Sequence, residues 1–261
     1  MPGTTSPQAV DYLLIGGGLA SASAAKENCR RDVRGSILLV ADELARPYHC
    51  PSLSKESLRG AISVERVYDK GSVYVHQRPG HDEQRDVMLH GVTALDTVTQ
   101  RVHLAGGRAV QCHQLVLAAG RRPRGLNVPG AYLPGVYLLC TAADANDLQK
   151  QLSDSSVPRV HGKRAVVIGC GFVGLETSAG AMVHGALVIM TNSRNCFWSR
   201  VISPNVSTYF EGLYAHRGAQ VCPQRIVTGF MARPDDGSPP CGSLRRECGG
   251  RHRRGCGRVS G

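Results

Sequence analysis

The chain has 261 residues, 42% of them hydrophobic, and a formal net charge of +11 at pH 7. This length is sufficient for one or two domains with a buried core. No apolar stretch reaches the roughly 20 residues that a membrane-spanning helix needs, so we expect a globular protein with no membrane partner.

The positive charge is concentrated towards the end of the chain. From Cys222 onward there are eight arginines, no lysine and three acidic residues. No aromatic residues are interleaved with the basic ones, as they are in many surfaces that bind single-stranded nucleic acid. The charge therefore predicts a solvated surface and an arginine-rich tail, and we expect no nucleic-acid partner.

The ten cysteines lie at scattered positions, with no Cys-x-x-Cys pair. This pattern predicts reduced thiols in a cytoplasmic protein. The first ten residues carry neither a basic region nor an apolar core, so we expect no signal peptide. A zinc site built from Cys241, Cys248, His252 and Cys256 is disfavoured because no two of these residues are closely spaced, and we expect no metal.

Residues 11–27 (DYLLIGGGLASASAAKE) predict a strand, a tight glycine turn and a helix. In a dinucleotide-binding unit such a turn lets the backbone approach a pyrophosphate, whose charge the helix N-terminus stabilises. Ser21 stands at the position of the third glycine of that motif. An ordinary strand-to-helix turn is therefore an alternative for this stretch taken alone.

The next residues predict a buried parallel strand over 36–41, because this run is apolar without alternation. It ends at Asp42 and Glu43, where an acidic side chain would bind the ribose hydroxyls of an adenosine. A loop follows, and SKESL over residues 54–58 predicts the start of a helix with Ser54 as its cap.

Residues 86–120 predict several short strands, among them RAVQC and LVLAAG, with a hairpin turn at Gly106 and Gly107. We expect an antiparallel meander laid on the first sheet. Residues 121–135 are a connector rich in proline and glycine, and 142–152 predict a helix with a polar face.

A second strand–turn–helix follows at residues 165–176 (AVVIGCGFVGLE), with Gly169, Gly171 and Gly174 in full G-x-G-x-x-G spacing. The two glycine turns lie about 150 residues apart and predict two nucleotide sites. Strands are expected at 164–168, 186–191, 219–222 and 226–231, and helices at 172–184 and 204–217.

Five stretches have the order and spacing of a known family: GGGLAS, RPYHCPSLSKE, LVLAAGRRPR, VPGAYLPGVYLL and AVVIGCGFVGLE. Together they resemble the FAD-dependent pyridine nucleotide-disulfide oxidoreductases. The nearest branch is that of the ferredoxin, rubredoxin and putidaredoxin reductases, near monodehydroascorbate reductase and apoptosis-inducing factor. The resemblance implies an α/β fold with two Rossmann-like dinucleotide-binding domains, FAD on the first turn and NAD(P)H on the second. It also implies hydride transfer from NAD(P)H to FAD and electron delivery to an iron–sulfur protein or small acceptor.

The resemblance also implies roles for individual residues. Lys55 and Glu176 would form a catalytic ion pair beside the flavin, since a single buried charge there would be costly. The other residues expected to bind FAD are Gly16, Gly17, Gly18, Leu19, Ala20, Ser21, Asp42, Glu43, Val92, Ala118, Ala119, Gly120 and Arg124. Those expected to bind NAD(P)H are Gly169, Gly171, Phe172, Val173, Gly174, Glu176, Asn192 and Arg194.

Some positions depart from the family pattern. Cys50 stands where the family has an arginine that contacts the flavin, and Ala119 stands where it has a threonine. Asn192 replaces the glutamate that would bind the NAD ribose, and Arg194 follows it. The loss of that carboxylate permits NADPH, while NAD(H) bound with weakened affinity is the alternative.

These observations predict an FAD-binding domain over 1–145, an NAD(P)H-binding domain over 146–232 and a disordered Arg/Gly/Pro/Cys-rich tail over 233–261. Nothing after Phe230 resembles the family, so we expect both domains to be incomplete and the tail to reflect a frameshift or truncation. The predicted function is an NAD(P)H-dependent FAD oxidoreductase. The alternatives are a non-catalytic flavoprotein fragment and an FAD- or NAD-binding interaction protein; the electron acceptor and oligomeric state stay undetermined.

Overall fold

The computed structural model describes residues 8–43, 45, 47–62, 87–89, 91–154, 163–198, 201–231 and 241–246. Backbone contacts divide the chain into two compact units. The first comprises Met1–Cys50 and Glu65–Arg122, and the second comprises Pro51–Val64 and Pro123–Gly261. The predicted domain boundary at residue 145 stays a prediction.

The first unit is an α/β arrangement around one six-stranded sheet, whose order is β3-β2-β1-β6-β5-β4. Strand β1 is parallel to β2 and β6, and β2 is parallel to β3. Strand β5 is antiparallel to both β4 and β6. The elements are β1 Gln8–Ile15, α1 Leu19–Arg31, β2 Ile37–Ala41, β3 Val87–Leu89, β4 Val92–Asp96, β5 Arg101–Leu104 and β6 Ala109–Leu117.

Strands β1 and β2 are central because both of their faces are apolar. Leu14 and Leu39 pack in one cluster with Ala25 of α1, while Leu13 and Val40 belong to a second cluster. Helix α1 buries only small residues, which allow it to lie close to the sheet. The pairing register brings the carboxyl ends of β1, β2 and β6 to one edge of the sheet.

The hairpin predicted at Gly106 and Gly107 is present, and both glycines have positive φ angles of 89° and 82°. The predicted antiparallel meander is present as β4, β5 and β6, but these strands are part of the first sheet and are not laid on it. Residues predicted as two short strands form the single nine-residue strand β6, which pairs with β1 along most of its length and with β5 over its first three residues. Strand β6 is hydrogen-bonded to β1 on one edge and to β5 on the other, so the meander belongs to the same sheet as β1.

The second unit is also α/β, with a three-stranded parallel sheet in the order β7-β8-β9 and an antiparallel pair, β10 and β11. Its elements are α2 Ala142–Ser153, β7 Arg164–Ile168, α3 Phe172–Val183, β8 Leu187–Asn192, α4 Pro204–His216, β9 Gln220–Pro223, β10 Arg225–Met231 and β11 Cys241–Arg246. The α/β fold class is therefore as predicted. In the described ranges, no helix combines the length and apolar character that a bilayer crossing requires.

The segment 51–62 packs within the second unit. Leu58 is fully buried in a core with Leu175 of α3, Met190 of β8 and Phe197. A helical turn is present where SKESL predicted the start of a helix, but the prediction of Ser54 as its cap is wrong. The chain forms a 3₁₀ turn, Cys50–Ser52, and then a π-helical turn, Leu53–Ser57, and Ser54 lies buried inside the second turn.

Strand β11 corrects the prediction of a disordered tail over 233–261 for six of its residues. Its backbone pairs antiparallel with β10, from Met231 opposite Cys241 to Arg225 opposite Arg246. These hydrogen bonds order a segment that has few large apolar residues. The other residues of the predicted tail lie outside the described residues.

Candidate functional site

The first glycine turn lies at the carboxyl end of β1. Gly16 has a φ of +115°, and its N–H donates to the Val40 carbonyl at 2.8 Å. A Cβ on residue 16 would lie 2.1 Å from the Ala118 carbonyl oxygen, so no other residue fits between these strands. Gly17 also has little space, because a Cβ on this residue would lie 3.0 Å from the Cβ of Ala41. These close approaches explain the first two glycines.

The start of α1 has room and charge for an anion. Gly18 is the N-cap residue, and a Cβ on it would meet no described atom within 4 Å. No described side chain caps the helix, and its first turn, which begins Leu19-Ala20-Ser21, has no acidic residue. The free N–H groups and the helix dipole therefore fit a pyrophosphate, as predicted for FAD.

Ser21 at the third glycine position is fully buried, and its Oγ has no hydrogen-bond partner among the described atoms. A buried hydroxyl without a partner is costly. Among the buried residues of α1, Ser21 is the only polar one, and the others are alanines.

The acidic residues after β2 already have partners. The Asp42 carboxylate pairs with Arg122 at 3.0 Å, and both side chains are exposed. Glu43 Oε2 accepts a hydrogen bond from the Tyr48 hydroxyl at 2.8 Å, and Tyr48 is buried. The sequence did not indicate either partner. Tyr48 holds the Glu43 side chain in one orientation at the edge where the ribose was predicted.

The remaining predicted FAD contacts are dispersed. Ala118, Ala119 and Gly120 follow β6 directly, and Ala118 touches the first glycine turn. Val92 lies in β4, three strands from β1 in the sheet order, and packs against the core. Its contact with the adenine stays a prediction. Arg124 is exposed and belongs to the second unit, as does Lys55.

The second glycine turn repeats the same design. Gly169 has a φ of +100°, and its N–H donates to the Thr191 carbonyl at 2.8 Å. A Cβ on Gly174 would lie 1.9 Å from the Gly169 carbonyl oxygen, so α3 approaches the turn at a distance that only glycine allows. Gly171 is the N-cap of α3, and a Cβ there would meet no described atom within 4 Å. This turn also fits a pyrophosphate.

Two large apolar side chains stand exposed at the start of α3. Phe172 is 57% exposed and Val173 is 50% exposed. The Phe172 ring lies against Trp198, with 5.0 Å between the ring centroids, and Trp198 in turn contacts Phe210 at 4.9 Å. Apolar surface beside the open N-terminus of α3 suits a nucleotide, whose rings need apolar contact.

Lys55 and Glu176 form the ion pair that the resemblance implied. Lys55 Nζ lies 3.2 Å from Glu176 Oε1, and the two side chains are 39% and 28% exposed. Ser54 donates its hydroxyl proton to Glu176 Oε2 at 2.5 Å. Lys55 Nζ also donates to the Pro51 carbonyl at 3.3 Å. Sequence reasoning missed the role of Ser54, although its place directly before Lys55 was a signal.

The end of β8 carries a polar pocket. Asn192 Nδ2 donates to the Cys196 carbonyl at 2.8 Å, so this side chain holds the following loop. The Gln224 N–H donates to the Arg194 carbonyl at 3.0 Å. An open pocket of about 480 Å³ is lined by Ser193, Arg194, Asn195 and Gln224. Of these four, only Arg194 was predicted from the sequence.

Metal binding finds no support in the part of the chain that the structure describes. No three His, Cys, Asp or Glu side chains converge there in an arrangement that suits an ion. The cysteines whose side chains are described are free thiols. The zinc ligands considered above, Cys241, Cys248, His252 and Cys256, have side chains outside the described set.

The chain matches a known protein family over most of its length. Residues 10–240 match the profile of a family described as pyridine nucleotide-disulphide oxidoreductase. The chain belongs to the pyridine nucleotide-disulphide oxidoreductase family. The resemblance inferred from the five stretches is therefore confirmed.

Rhodocoxin reductase from Rhodococcus erythropolis is 34% identical over 222 residues, which are 84% of this chain and 48% of that protein. Putidaredoxin reductase from Pseudomonas putida is 32% identical over 230 residues, which are 86% of this chain and 51% of that protein.

Solved structures of the family show the same fold. The ferredoxin reductase of the CYP199A2 system from Rhodopseudomonas palustris superposes with a TM-score of 0.76 at 28% identity and covers 90% of this chain. The putidaredoxin reductase–putidaredoxin complex also gives a TM-score of 0.76, at 29% identity over 90% of this chain. This chain covers 55% and 54% of those two proteins. It spans about half the length of the relatives that it matches.

Proposed function

We propose that this chain binds FAD at the first glycine turn and NAD(P)H at the second, and that it serves as an NAD(P)H-dependent FAD oxidoreductase. In this function a hydride passes from NAD(P)H to FAD, and electrons leave to a ferredoxin-type iron–sulfur protein or a small acceptor. The observation that carries the proposal is the recurrence of one geometry in both units. Each has a glycine with positive φ at a strand end, followed by a helix N-terminus with open space beside its N-cap glycine.

The residues of the first unit that would hold FAD are those of the turn at Gly16–Gly18 and the acidic pair after β2. In the second unit, the turn at Gly169–Gly174 would hold the NAD(P)H pyrophosphate, and Phe172 would supply apolar contact. Bound FAD accepts a hydride and releases electrons one at a time, which is the chemistry that the amino acids themselves cannot supply.

Lys55 would present a fixed positive charge to the flavin. An ammonium group has three N–H donors. Among the described residues, Glu176 and the Pro51 carbonyl accept from the Lys55 amine, so one of its N–H groups has no described acceptor and could donate to a bound molecule. Ser54 and Lys55 each engage a different oxygen of Glu176, so the carboxylate is held from both sides. This arrangement favours negative charge that develops next to the lysine.

The names of relatives support the acceptor class. One relative, 31% identical, is the ferredoxin–NAD(+) reductase subunit of a benzene dioxygenase system from Pseudomonas putida, and a solved structure pairs putidaredoxin reductase with putidaredoxin. For this chain we propose an iron–sulfur protein of that kind. We also propose that the protein works in the cytoplasm, which its free thiols support.

The experiment is anaerobic reduction of the purified full chain. We expect a yellow protein whose flavin absorbance is bleached by NADPH or NADH and restored by an oxidised ferredoxin. A coloured protein that neither nucleotide reduces would overturn the oxidoreductase and favour a nucleotide-binding interaction protein. A colourless protein that does not take up added FAD would overturn the proposal altogether.

Two substitutions locate the sites. Gly18→Ala and Gly171→Ala place a methyl group in space that no described atom occupies, and both glycines have extended φ and ψ angles that alanine adopts. We expect each to cost at most about 1 kcal/mol of stability, as alanine is a poor N-cap. Gly18→Ala should reduce FAD content and Gly171→Ala should weaken NAD(P)H binding. Gly91→Ala and Gly212→Ala, which also have open space, serve as controls and should change neither.

A further inference from the structure

The loop after β8 is placed where a dinucleotide-binding unit selects its nucleotide. In such units an acidic residue about 20 positions after the glycine turn binds the ribose 2′-hydroxyl of NAD, whereas an arginine accommodates the 2′-phosphate of NADP. Here β8 ends at Asn192, and the amide of that residue is engaged with the Cys196 carbonyl at 2.8 Å. No carboxylate stands at this position. The side chains presented next are those of Ser193, Arg194 and Asn195, and all three residues are exposed.

The pocket beside this loop has a lining suited to a phosphate monoester. Its four lining residues are all polar, one is an arginine, and none is acidic. Arginine pairs with phosphate through two parallel N–H bonds, and serine and asparagine add neutral donors. The Arg194 backbone is fixed by the hydrogen bond from the Gln224 N–H, which joins the loop to the turn between β9 and β10. The arginine is therefore presented from a tethered loop.

The local charge also favours an anion. Between residues 163 and 231 the sequence has only two carboxylates, Glu176 and Glu211. Glu176 is held by Lys55 and Ser54. Glu211 Oε1 accepts from the Phe197 N–H at 3.0 Å and from the Ser207 hydroxyl at 3.1 Å. In the part of the chain that the structure describes, Arg194 has no carboxylate partner and is available to a ligand.

We propose that Ser193, Arg194 and Asn195 bind the 2′-phosphate of NADPH, and that this chain prefers NADPH to NADH. This inference rests on the proposed function of the second glycine turn and specifies its nucleotide. Two relatives are named as reductases of ferredoxin with NAD(+), so the preference would distinguish this chain from them. Arg194 supplies the charge, and Ser193 and Asn195 orient the phosphate.

The test measures binding, so it does not depend on turnover. Adenosine 2′,5′-bisphosphate and adenosine 5′-phosphate are titrated into the full chain by calorimetry. Emission from Trp198, the single tryptophan of the chain, provides a second reading beside the turn. We expect the bisphosphate to bind roughly 10- to 100-fold more tightly, the range that a charge-assisted arginine–phosphate contact gives.

Variants assign the preference to the loop. Arg194→Gln should reduce the preference to within about threefold, and Arg194→Glu should reverse it, because a carboxylate repels the phosphate and binds a ribose hydroxyl. Arg217→Gln, which removes an exposed arginine after α4, should leave the preference unchanged. A preference that survives both Arg194 variants would overturn the assignment to this loop.

The outcomes separate this inference from the proposed function. Tighter binding of adenosine 5′-phosphate, or equal binding of both probes, would overturn the NADPH preference and leave a nucleotide site at the second turn. Binding of neither probe would overturn the site and the preference together. Faster bleaching of the flavin by NADPH than by NADH would support both.

Discussion

The Lys55 amine lies 3.2 Å from the Glu176 carboxylate and links the π-helical turn of residues 53–57 to helix α3. The Ser54 hydroxyl engages the other oxygen of the same carboxylate. A loop residue and a helix residue that are remote in sequence therefore share one polar cluster. Single-turn π segments are rare and are often found at functional sites. We infer that the turn is shaped to deliver two adjacent donors to one carboxylate.

Replacing the lysine should affect chemistry more than stability. Lys55→Met is expected to slow flavin reduction by NAD(P)H, because the fixed positive charge is lost. The unfolding free energy should change by less than about 1 kcal/mol, since both side chains of the pair are partly exposed and solvent screens them. Stopped-flow reduction and thermal unfolding measure the two effects.

The control for that variant is Lys150→Met, which removes an exposed ion pair with Asp147 on α2. It should leave flavin reduction unchanged. Hydride transfer in Lys55→Met at the rate of the unmodified chain would show that the pair has no catalytic role.

Gly174 is the position where a single methyl group should be most damaging. The added Cβ would lie 1.9 Å from the backbone oxygen of Gly169, and a backbone atom cannot move aside as a side chain does. Gly174→Ala is expected to lower the unfolding free energy by about 1–3 kcal/mol despite the better helix propensity of alanine. Chemical denaturation measures this change.

Gly212 in α4 provides the matched control, because a Cβ there has open space. Gly212→Ala should stabilise the chain by up to about 1 kcal/mol. Equal effects of the two substitutions would contradict the close approach of α3 to its turn.

Leu58 anchors the segment 51–62 on α3, and its contact with Gly180 can be measured by a double-mutant cycle. A Cβ on Gly180 would lie 2.9 Å from Leu58 Cδ2, and Leu58 is fully buried. Leu58→Ala should cost about 2–5 kcal/mol. Gly180→Ala should destabilise the unmodified chain and stabilise the Leu58→Ala chain, because the new methyl group then fills space.

We expect a coupling energy of about 1–2 kcal/mol between these two substitutions. Equilibrium unfolding of the four proteins gives this value directly. Additive effects would mean that Leu58 does not pack on Gly180.

The buried thiol of Cys170 should make the protein less stable in alkali. Burial raises the pKa of Cys170 from its ordinary value of 9 to about 12, and the nearby Glu211 adds to the shift. Because the pKa is higher in the folded state, the thiol stays neutral there at pH values at which it ionises in the unfolded chain. Below pH 9 the thiol is neutral in both states, and its contribution to the unfolding free energy is at its maximum. It is lost as the pH rises from 9 to about 12, when the unfolded chain ionises first.

Denaturation across this pH range measures the effect. The decrease in unfolding free energy should be smaller in Cys170→Ala than in the unmodified chain. Cys29→Ala, which changes a partly exposed cysteine of α1, is the control and should retain the full decrease. Identical pH profiles for all three proteins would show that Cys170 ionises equally readily in both states.

Much of the local structure could be predicted because its causes are local. The apolar runs before Gly16 and Gly169 are the strands β1 and β7. Strand β1 is mostly buried, as is typical of an apolar run without alternation, whereas the residues of β7 are exposed or only partly buried. The helices after both turns also follow from short patterns. Ser54 was interpreted wrongly, because a serine before charged residues is typical of a helix cap, whereas its buried hydroxyl bonds a distant carboxylate.

The residues that hold the predicted nucleotide-binding side chains in place could not be predicted from the sequence. Tyr48 contacts Glu43, and Arg122 contacts Asp42. Gln224 contacts the backbone of Arg194. No spacing in the sequence indicates these pairs, since each depends on where a loop returns. The role of Val92 came from the resemblance alone, and its contact with the adenine stays a prediction.

The sequence by itself determined the two glycine turns, the strands and helices around them and the family. These features rest on steric limits of single residues and on apolar periodicity, which act over a few positions. Only the tertiary structure decided that segment 51–62 packs with the second unit, that Ser54 and Lys55 share one carboxylate, and that a polar pocket opens beside Arg194. Such contacts join remote segments, and they form because many weak burial and hydrogen-bond contributions are satisfied together in one fold.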